Sequence, residues 1–322
     1  MRARGAKELS VRGIVNTLRR IRRDLGDDWS SERWNVRAAR RANEIGFSLR
    51  RQEQTAAERF CNYVRLEPSL YRRLQEQTGF PPPQPITNDN RLMHQAGEDL
   101  MSPVRAMTFE EVRAFFGYFE SIAKNAPSIR ERRIAARHQA LFKTILAYGT
   151  RANEAANAKL SDCMRSPADP ENTYGDFGSL SVDGKAKMFG PPRRRTIYTV
   201  GQFGWIASVL EHHRDVVMPL FTRNDGDYLF VTEDGRPLDP QNVSATFRRA
   251  CDTIGIQKKN GPTTHSLRRL YATTLAITGV DPFFISRQLG HTGWSTTQIY
   301  VKLPPDYVHR QLRALQERML GV

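Results

Sequence analysis

The chain has 322 residues, of which 39% are hydrophobic and 26% charged, so it is long enough for two domains and too apolar for a disordered protein. Its 49 Lys and Arg exceed its 34 Asp and Glu, a net charge of +15 that predicts a polyanionic partner, most simply nucleic acid. The sequence has neither an apolar window long enough to span a membrane nor a signal peptide. Three widely spaced cysteines fit neither a disulfide framework nor a zinc site, so we expect a cytoplasmic protein.

Residues 1–78 are predicted to form a helical, arginine-rich domain that binds nucleic acid. Apolar residues recur there at helical spacing with arginines between them. The clearest example combines two sets of four residues: Ile14, Leu18, Ile21 and Leu25 with Arg19, Arg20, Arg22 and Arg23. Residues 1–80 hold 18 Lys and Arg against 10 Asp and Glu, which is about half of the net charge. Because a guanidinium can hold a phosphate through two hydrogen bonds, we predict that these four arginines contact nucleic acid; a solvated basic surface is the alternative.

A proline-containing stretch, GFPPPQPITNDN, breaks the helical periodicity after residue 78. Proline lacks a backbone donor and stiffens the chain, so residues 79–106 are predicted to be a linker. A second domain is predicted over residues 107–303, and Thr108 with Glu111 predicts a capping box at its first helix. Residues 304–322 are predicted to form a C-terminal helix with one apolar face made of Val308, Leu312, Leu315 and Met319.

The second domain is predicted to be mainly helical with a small antiparallel sheet. Asp caps the free N–H groups of a helix, Pro fits its first turn and Gly ends it. These signals predict helices over residues 133–148 before Gly149, from Asp239-Pro240 to Gly255, and from Asp281-Pro282 to Gly290. Short strands are predicted over residues 178–184 and 195–200, on either side of a basic loop, and a third over residues 228–231.

Several common catalytic motifs are absent from the sequence. It contains no GxxxxGK[ST] phosphate loop, no GxGxxG turn, no HExxH or clustered Cys and His, and no GxSxG elbow. The sequence therefore disfavours ATP, nicotinamide and zinc chemistry, and we expect neither a cofactor nor a metal site.

The residues that remain as candidates are basic or phenolic, and most lie late in the chain. They comprise two arginines, two histidines, one tyrosine and one acid: Arg151, Arg268, His265, His291, Tyr300 and Glu154. His265 and Arg268 are three residues apart and so share one helical face. Each signal is weak by itself, since an HxxR pair is usually a surface pair and Arg151 with Glu154 is usually an intrahelical ion pair. Their joint occurrence in a basic chain indicates phosphate chemistry without a metal.

The chemistry that such a set supports is attack on a phosphodiester. Guanidinium groups aimed at the non-bridging oxygens stabilise the charge that develops in the transition state. A tyrosine, with a pKa near 10 in isolation, needs cationic neighbours or a base to become a nucleophile, and a histidine can take its proton. A lysine on a hairpin can protonate the departing 5′ oxygen.

Over roughly residues 107–302 the sequence resembles the tyrosine recombinase (phage integrase) family. The segment AYGTRANEAANAKLSD resembles the first box of this family. The resemblance places the catalytic arginine of that box at Arg151 and its supporting acids at Glu154 and Asp162.

The second and final boxes of the family also have counterparts. THSLRRLYATTLA resembles the second box, so the HxxR pair falls on His265 and Arg268. LGHTGWSTTQIYVK resembles the final box and places the second histidine at His291 and the nucleophile at Tyr300, nine residues later. Order, spacing and flanking apolar pattern agree with the family.

The family places a catalytic lysine at the turn of a β-hairpin. In DGKAKMFGPPRRRTIYTV we prefer Lys185 for this role and keep Lys187 as the alternative, because the loop is longer than the usual compact hairpin. Both lysines can instead contact backbone phosphates. Arg193 and Arg194 in the same segment are candidate DNA contacts.

The resemblance implies a two-domain architecture, with a helical DNA-binding domain before a mixed α/β catalytic domain, and a site-specific recombinase acting through a 3′-phosphotyrosyl intermediate. It implies double-stranded DNA and a tetramer on that DNA as partners, and leaves room for an accessory DNA-bending protein. The C-terminal helix would pack on a neighbouring protomer or on its own domain. The alternatives are a type IB-like topoisomerase, a telomere resolvase, a catalytically silent regulator of the same fold, and a metal nuclease or transposase, which would depend on magnesium.

Overall fold

A computed structural model describes residues 8–93, 105–184, 193–221, 227–256 and 261–290. The chain divides into two compact units, and the first described range belongs to the first unit while the other four belong to the second. Within these ranges no helix has the length and apolar character needed to cross a membrane. Four predicted site residues and the predicted C-terminal helix lie outside the described residues: Lys185, Lys187, His291, Tyr300 and residues 304–322.

Within residues 8–93, the described part of the first unit, there are four helices. They are α1 (Glu8–Leu25), α2 (Ser31–Glu44), α3 (Phe47–Leu66) and α4 (Pro68–Thr78). The predicted apolar face of α1 packs inward, and its most buried members join a small core made of Ile21, Leu25, Trp34, Ala57 and Ile86. An amphipathic helix of this kind leaves its arginines on the outer face.

Part of the predicted linker packs onto the helices of the first unit. Ile86 is buried in the core of that unit. The backbone N–H of Leu92 donates to the side-chain oxygen of Gln54 at 2.7 Å. The amide of Asn90 donates to the side-chain oxygen of Asn35 at 2.9 Å. Residues 80–92 therefore satisfy polar groups and bury apolar surface, which a freely solvated spacer does not do.

The second unit is built around one long central helix. Its helices are α5 (Phe109–Asn125), α6 (Ile129–Tyr148), α7 (Ala152–Ala156), α8 (Ile206–His212), α9 (Pro240–Thr253), α10 (Thr264–Ile277) and α11 (Pro282–Leu289). The C-terminal half of α6 is buried on all sides, as Leu141, Phe142, Ile145 and Tyr148 show. A helical segment that is buried on all sides lies inside its domain, so the C-terminal half of α6 forms part of the core of this unit.

The helix signals in the sequence act as predicted. Thr108 and Glu111 form the capping box of α5, with backbone N–H donations of 2.9 Å and 3.2 Å. Asp239 accepts the N–H of Gln241 at 2.9 Å at the start of α9. Asp281 accepts two backbone N–H groups at the start of α11, at 2.8 Å and 3.0 Å.

Among the described residues, three antiparallel strands form a sheet in the order β1 (Cys163–Met164), β2 (Ser179–Asp183) and β3 (Arg194–Tyr198). Leu180 pairs with Ile197 in the centre of the β2–β3 hairpin. A mainly helical fold with a small antiparallel sheet, as predicted from the sequence, is thereby confirmed.

The prediction of a third strand at residues 228–231 was wrong. The third strand is β1, and Tyr228 and Val231 each make only an isolated bridge, to Lys159 and Pro237. Leu229 and Phe230 are both fully buried. A short apolar run that is buried throughout has no alternation, so its sequence does not distinguish a strand from an irregular core segment.

Candidate active site

The site begins where α6 ends. Gly149 takes a left-handed conformation, with φ of 58°, and terminates the helix. A Cβ atom at this position would lie 2.4 Å from Cδ1 of Tyr271 on α10, so only glycine fits. The close approach brings Arg151, two residues later at the start of α7, next to α10.

Glu154 on α7 is the centre of the site. It is 5% exposed, and it accepts hydrogen bonds from the backbone N–H of Arg151 at 2.8 Å and from the Nη1 of Arg151 at 2.6 Å. Arg195 on β3 donates from Nη1 and Nη2 to the two carboxylate oxygens at 2.9 Å and 2.8 Å. Nη1 of Arg268 lies 3.9 Å from Oε2 of Glu154. Three guanidinium groups therefore surround one carboxylate.

Arg268 links the ends of two helices. It is fully buried, and its Nη1 and Nη2 atoms donate to the carbonyl oxygens of Gly149 at 2.6 Å and Leu289 at 2.5 Å. Cations near helix C-termini are stabilised by the exposed carbonyls and the helix dipole. The guanidinium is thereby fixed between α6, α10 and α11.

His265 lies one turn before Arg268 on α10. Its backbone N–H is capped by the hydroxyl of Thr263 at 3.2 Å. Burial lowers the pKa of His265 to about 4, and the positive charges of Arg268, Arg269 and Arg151 act in the same direction. The imidazole is therefore neutral near pH 7 and able to accept a proton.

The end of α11 is held against β3 by side-chain contacts. The Gln288 amide accepts from the backbone N–H of Tyr198 at 3.0 Å and donates to its carbonyl at 3.0 Å. Nε of Arg195 donates to the carbonyl of Gln288 at 2.9 Å. Gly290 follows with φ of 65°, and a Cβ atom there would lie 2.8 Å from Cδ of Arg195. His291 is the next residue in the sequence, outside the described ranges.

The charges of the site leave a net positive balance. Burial by itself would raise the pKa of the Glu154 carboxyl, but the hydrogen bonds and charges of Arg195 and Arg151 outweigh it and lower the pKa to about 2. Three arginines around one ionised acid leave a surplus of two positive charges. The side chain of Arg151 is 40% exposed, so part of this surplus faces solvent. The arrangement can attract and hold a phosphate group.

Two other predicted site residues within the described ranges, Asp162 and Arg194, form an ion pair with each other. Asp162 accepts from Nη2 of Arg194 at 2.6 Å and from the backbone N–H of Lys159 at 3.0 Å. It therefore holds a predicted DNA-contacting arginine. Arg193 and Arg194 are both exposed.

The predicted arginines of α1 are exposed as well. They are Arg19, Arg20, Arg22 and Arg23. One of them, Arg20, lies 3.9 Å from the buried carboxylate of Glu53. The position of these side chains leaves them accessible to a partner, and their role stays a prediction.

Part of the chain matches a known protein family. Residues 203–305 match the model of the phage integrase family. The chain carries a phage integrase family domain. The resemblance inferred from the sequence is confirmed, and the match covers both the HxxR pair and the predicted nucleophile.

Curated proteins that this chain is similar to include tyrosine recombinases. This chain is 31% identical over 174 residues to tyrosine recombinase XerC of Halalkalibacterium halodurans, and the aligned region covers 53% of this chain and 51% of that protein. It is 29% identical over 198 residues to tyrosine recombinase XerD of the same organism, and the aligned region covers 61% of this chain and 56% of that protein. The chain thus spans about half the length of the curated relatives it matches.

The fold is shared with solved recombinase structures. A lambda integrase tetramer bound to a Holliday junction matches with a TM-score of 0.59 at 17% identity, covering 90% of this chain and 74% of that one. At this identity the match shows the fold alone, and it agrees with the predicted two-domain recombinase architecture.

Sequence reasoning missed two residues of this site, Arg195 and Gln288. A signal for the first was present in RRRTIYTV. Side chains two apart on a strand share a face, so Arg195 faces the same side as Ile197, which is fully buried. An arginine on the buried face of a strand predicts a buried acidic partner. Gln288 on α11 carried no comparable signal.

Proposed function

We propose that this chain is a site-specific DNA recombinase that cleaves and rejoins DNA through a 3′-phosphotyrosyl link at Tyr300. The observation that carries the proposal is the cluster around Glu154. It gathers Arg151, His265 and Arg268 from separate parts of the chain into one net positive, partly exposed site. The similarity to tyrosine recombinases XerC and XerD supports the same reaction.

In the proposed reaction, the Tyr300 oxygen attacks the scissile phosphorus and the bond from phosphorus to the 5′ oxygen breaks. Arg151 and Arg268 stabilise the charge that builds on the non-bridging oxygens. The neutral His265 takes the tyrosine proton, and His291 completes the set around the phosphate. Lys185, or Lys187 in the alternative register, protonates the 5′ oxygen as it leaves. Because the phosphotyrosyl bond conserves the energy of the broken phosphodiester, religation needs neither ATP nor a metal ion.

The proposed partner is double-stranded DNA, bound by a tetramer of this chain. A net charge of +15 and the exposed arginines of α1 support a DNA partner. The matching lambda integrase structure is a tetramer on a Holliday junction, which supports the oligomer. Such an enzyme would act in the bacterial cytoplasm on nucleoid DNA, with an accessory DNA-bending protein where its site requires one.

Covalent trapping tests the proposal. The protein is mixed with supercoiled DNA that carries the host attachment region, in a buffer without divalent metal, and the reaction is stopped with detergent. We expect protein-linked DNA from the unaltered chain and none from Tyr300→Phe. An adduct that survives in Tyr300→Phe would identify another nucleophile. Absence of any adduct despite tight binding would overturn the proposal in favour of a DNA-binding regulator.

The product of the reaction separates recombination from simple relaxation. Two duplexes of different length that carry the site are incubated together, and we expect recombinant molecules of new length. Relaxation of supercoils without exchange would instead indicate a type IB-like topoisomerase with the same chemistry.

A further inference from the structure

We propose that Arg195 is a positioning residue. It binds the carboxylate of Glu154, so that the positive charges of Arg151 and Arg268 are not drawn to that carboxylate and stay available for the scissile phosphate. This inference rests on the proposed function. It adds to the site a residue that neither the sequence motifs nor the comparisons assign.

The guanidinium of Arg195 is fully engaged inside the protein. Its two Nη atoms hold the two oxygens of Glu154 at 2.9 Å and 2.8 Å, and Nε holds the carbonyl of Gln288 at 2.9 Å. Its side chain is 12% exposed, against 40% for Arg151. All three guanidinium nitrogens of Arg195 donate to protein acceptors, two of them to Glu154, so its effect on the phosphate is expected to pass through Glu154.

The acceptor capacity of Glu154 is what makes Arg195 matter. An ionised carboxylate offers about four lone-pair sites. Four N–H groups occupy them, two from Arg151 and two from Arg195. Nη1 of Arg268 stays 3.9 Å away and directs its hydrogen bond to Gly149.

Removal of Arg195 would open two of these acceptor sites. The nearest cations that can fill them are Arg151 and Arg268, the two arginines that the proposed reaction needs at the phosphate. The net charge of the cluster would also fall from +2 to +1. Both changes weaken stabilisation of the transition state, and both depend on the negative charge of Glu154.

That dependence distinguishes this role from a purely structural one. If Arg195 only latches β3 to the end of α11, through Gln288, then neutralising Glu154 cannot compensate for its loss. If Arg195 balances Glu154, then removing both charges restores the net +2 of Arg151 and Arg268.

The test compares three variants of the full chain: Arg195→Gln, Glu154→Gln and the double variant. The initial rate of covalent adduct formation is measured on attachment-region DNA, with DNA affinity and thermal melting measured in parallel. We expect Arg195→Gln to slow adduct formation about 100-fold, because Glu154 would then draw one transition-state donor away from the phosphate, with DNA affinity little changed. We expect the double variant to recover at least about tenfold of that loss.

Arg130→Gln is the matched control, because it removes another two-pronged arginine–glutamate pair from the same unit. Arg130 holds Glu233 on the surface. We expect its adduct rate to equal that of the unaltered chain. Arg195→Lys keeps the charge with fewer hydrogen bonds, so we expect a rate within about tenfold of the unaltered chain; this variant decides the question if Arg195→Gln does not fold.

Three outcomes would overturn the inference. An Arg195→Gln rate within twofold of the unaltered chain would show that Arg195 has no effect on the reaction. Equal rates for Arg195→Gln and the double variant would show that Arg195 has only a structural role. The same conclusion would follow if Arg195→Lys were as slow as Arg195→Gln. Absence of an adduct from the unaltered chain is a different failure, since it removes the proposed function and this inference with it.

Discussion

Two carboxylates of the second unit, Glu154 and Glu233, are each held by two arginines but differ in burial. Glu154 accepts from Arg151 and Arg195 in the interior, whereas Glu233 accepts from Arg130 and Arg133 nearer the surface. Breaking a buried pair leaves charges without compensation in a medium of low dielectric, but solvent screens the same loss at the surface. The comparison isolates the contribution of burial.

We therefore expect Glu154→Ala to lower the free energy of unfolding by about 3–5 kcal/mol. Glu233→Ala is the control, with an expected loss of about 1 kcal/mol or less. Both are measured by urea denaturation at pH 7. Equal losses would contradict the buried network.

The same network makes the stability of the protein decrease at acidic pH. Because the pKa of Glu154 is lowered to about 2, its contribution is complete above the ordinary carboxyl value of about 4.5 and is lost as the pH falls from there towards 2. The stability difference between the unaltered chain and Glu154→Gln should shrink over that window, in the same denaturation experiment.

His265 provides a second prediction that depends on pH. Burial and neighbouring arginines lower its pKa to about 4, so the imidazole is protonated only as the pH falls through that value. If His265 is the proton acceptor, adduct formation should keep its rate from pH 8 to about pH 5 and decline below it. The initial rate against pH checks this. A decline centred near 6.5, the value of an unperturbed histidine, would contradict it.

The turn after α6 requires glycine for two reasons, its left-handed backbone conformation and the lack of space for a Cβ atom. Gly149 and Gly255 both follow helices with positive φ, of 58° and 74°. Only Gly149 is also crowded, since a Cβ atom would overlap Tyr271, whereas nothing lies within 4 Å of such an atom at Gly255. Substitutions at the two positions can therefore distinguish the cost of backbone strain from the cost of steric overlap.

We expect Gly255→Ala to lower stability by about 1–2 kcal/mol, the cost of a left-handed conformation for a residue with a Cβ atom. Gly149→Ala should lose more than that, because α6 and α10 must also move apart, and adduct formation should fall with it. Thermal melting and the trapping assay measure both effects. Similar melting temperatures for the two variants would rule out the crowding argument.

At the level of the elements, sequence reasoning was most successful where a signal is local. The caps at Thr108, Asp239 and Asp281 act through backbone groups within three residues, so their residue types are sufficient to predict them. Residues 228–231 were mistaken for a strand because pairing is decided by a distant partner. The packing of Ile86 in the first unit also depends on distant helices, and no local pattern indicated it.

For the whole molecule, charge distribution gives the last prediction. The α1 arginines are exposed, so we expect them to displace counterions from DNA. The plot of log affinity against log salt should have a slope of about −0.9 per phosphate neutralised. Replacing Arg19, Arg20, Arg22 and Arg23 with Gln should flatten this slope, and binding titrations at several salt concentrations measure it. An unchanged slope would exclude α1 from the DNA contacts, with Arg130→Gln as the control for an exposed arginine held in an ion pair.

The sequence by itself was enough to predict the fold class, the resemblance to the phage integrase family and a set of candidate residues. Residue type, helical spacing and order along the chain are properties of the sequence, and they were enough to single out Arg151, His265 and Arg268. Tertiary structure alone decided how these residues are paired. Glu154 and Arg195 are 41 residues apart, and Gly149 and Arg268 are 119 apart. Such contacts form only when the core of α6 brings α7, β3, α10 and α11 together, because a hydrogen bond needs its two atoms within about 3 Å whatever the distance along the chain.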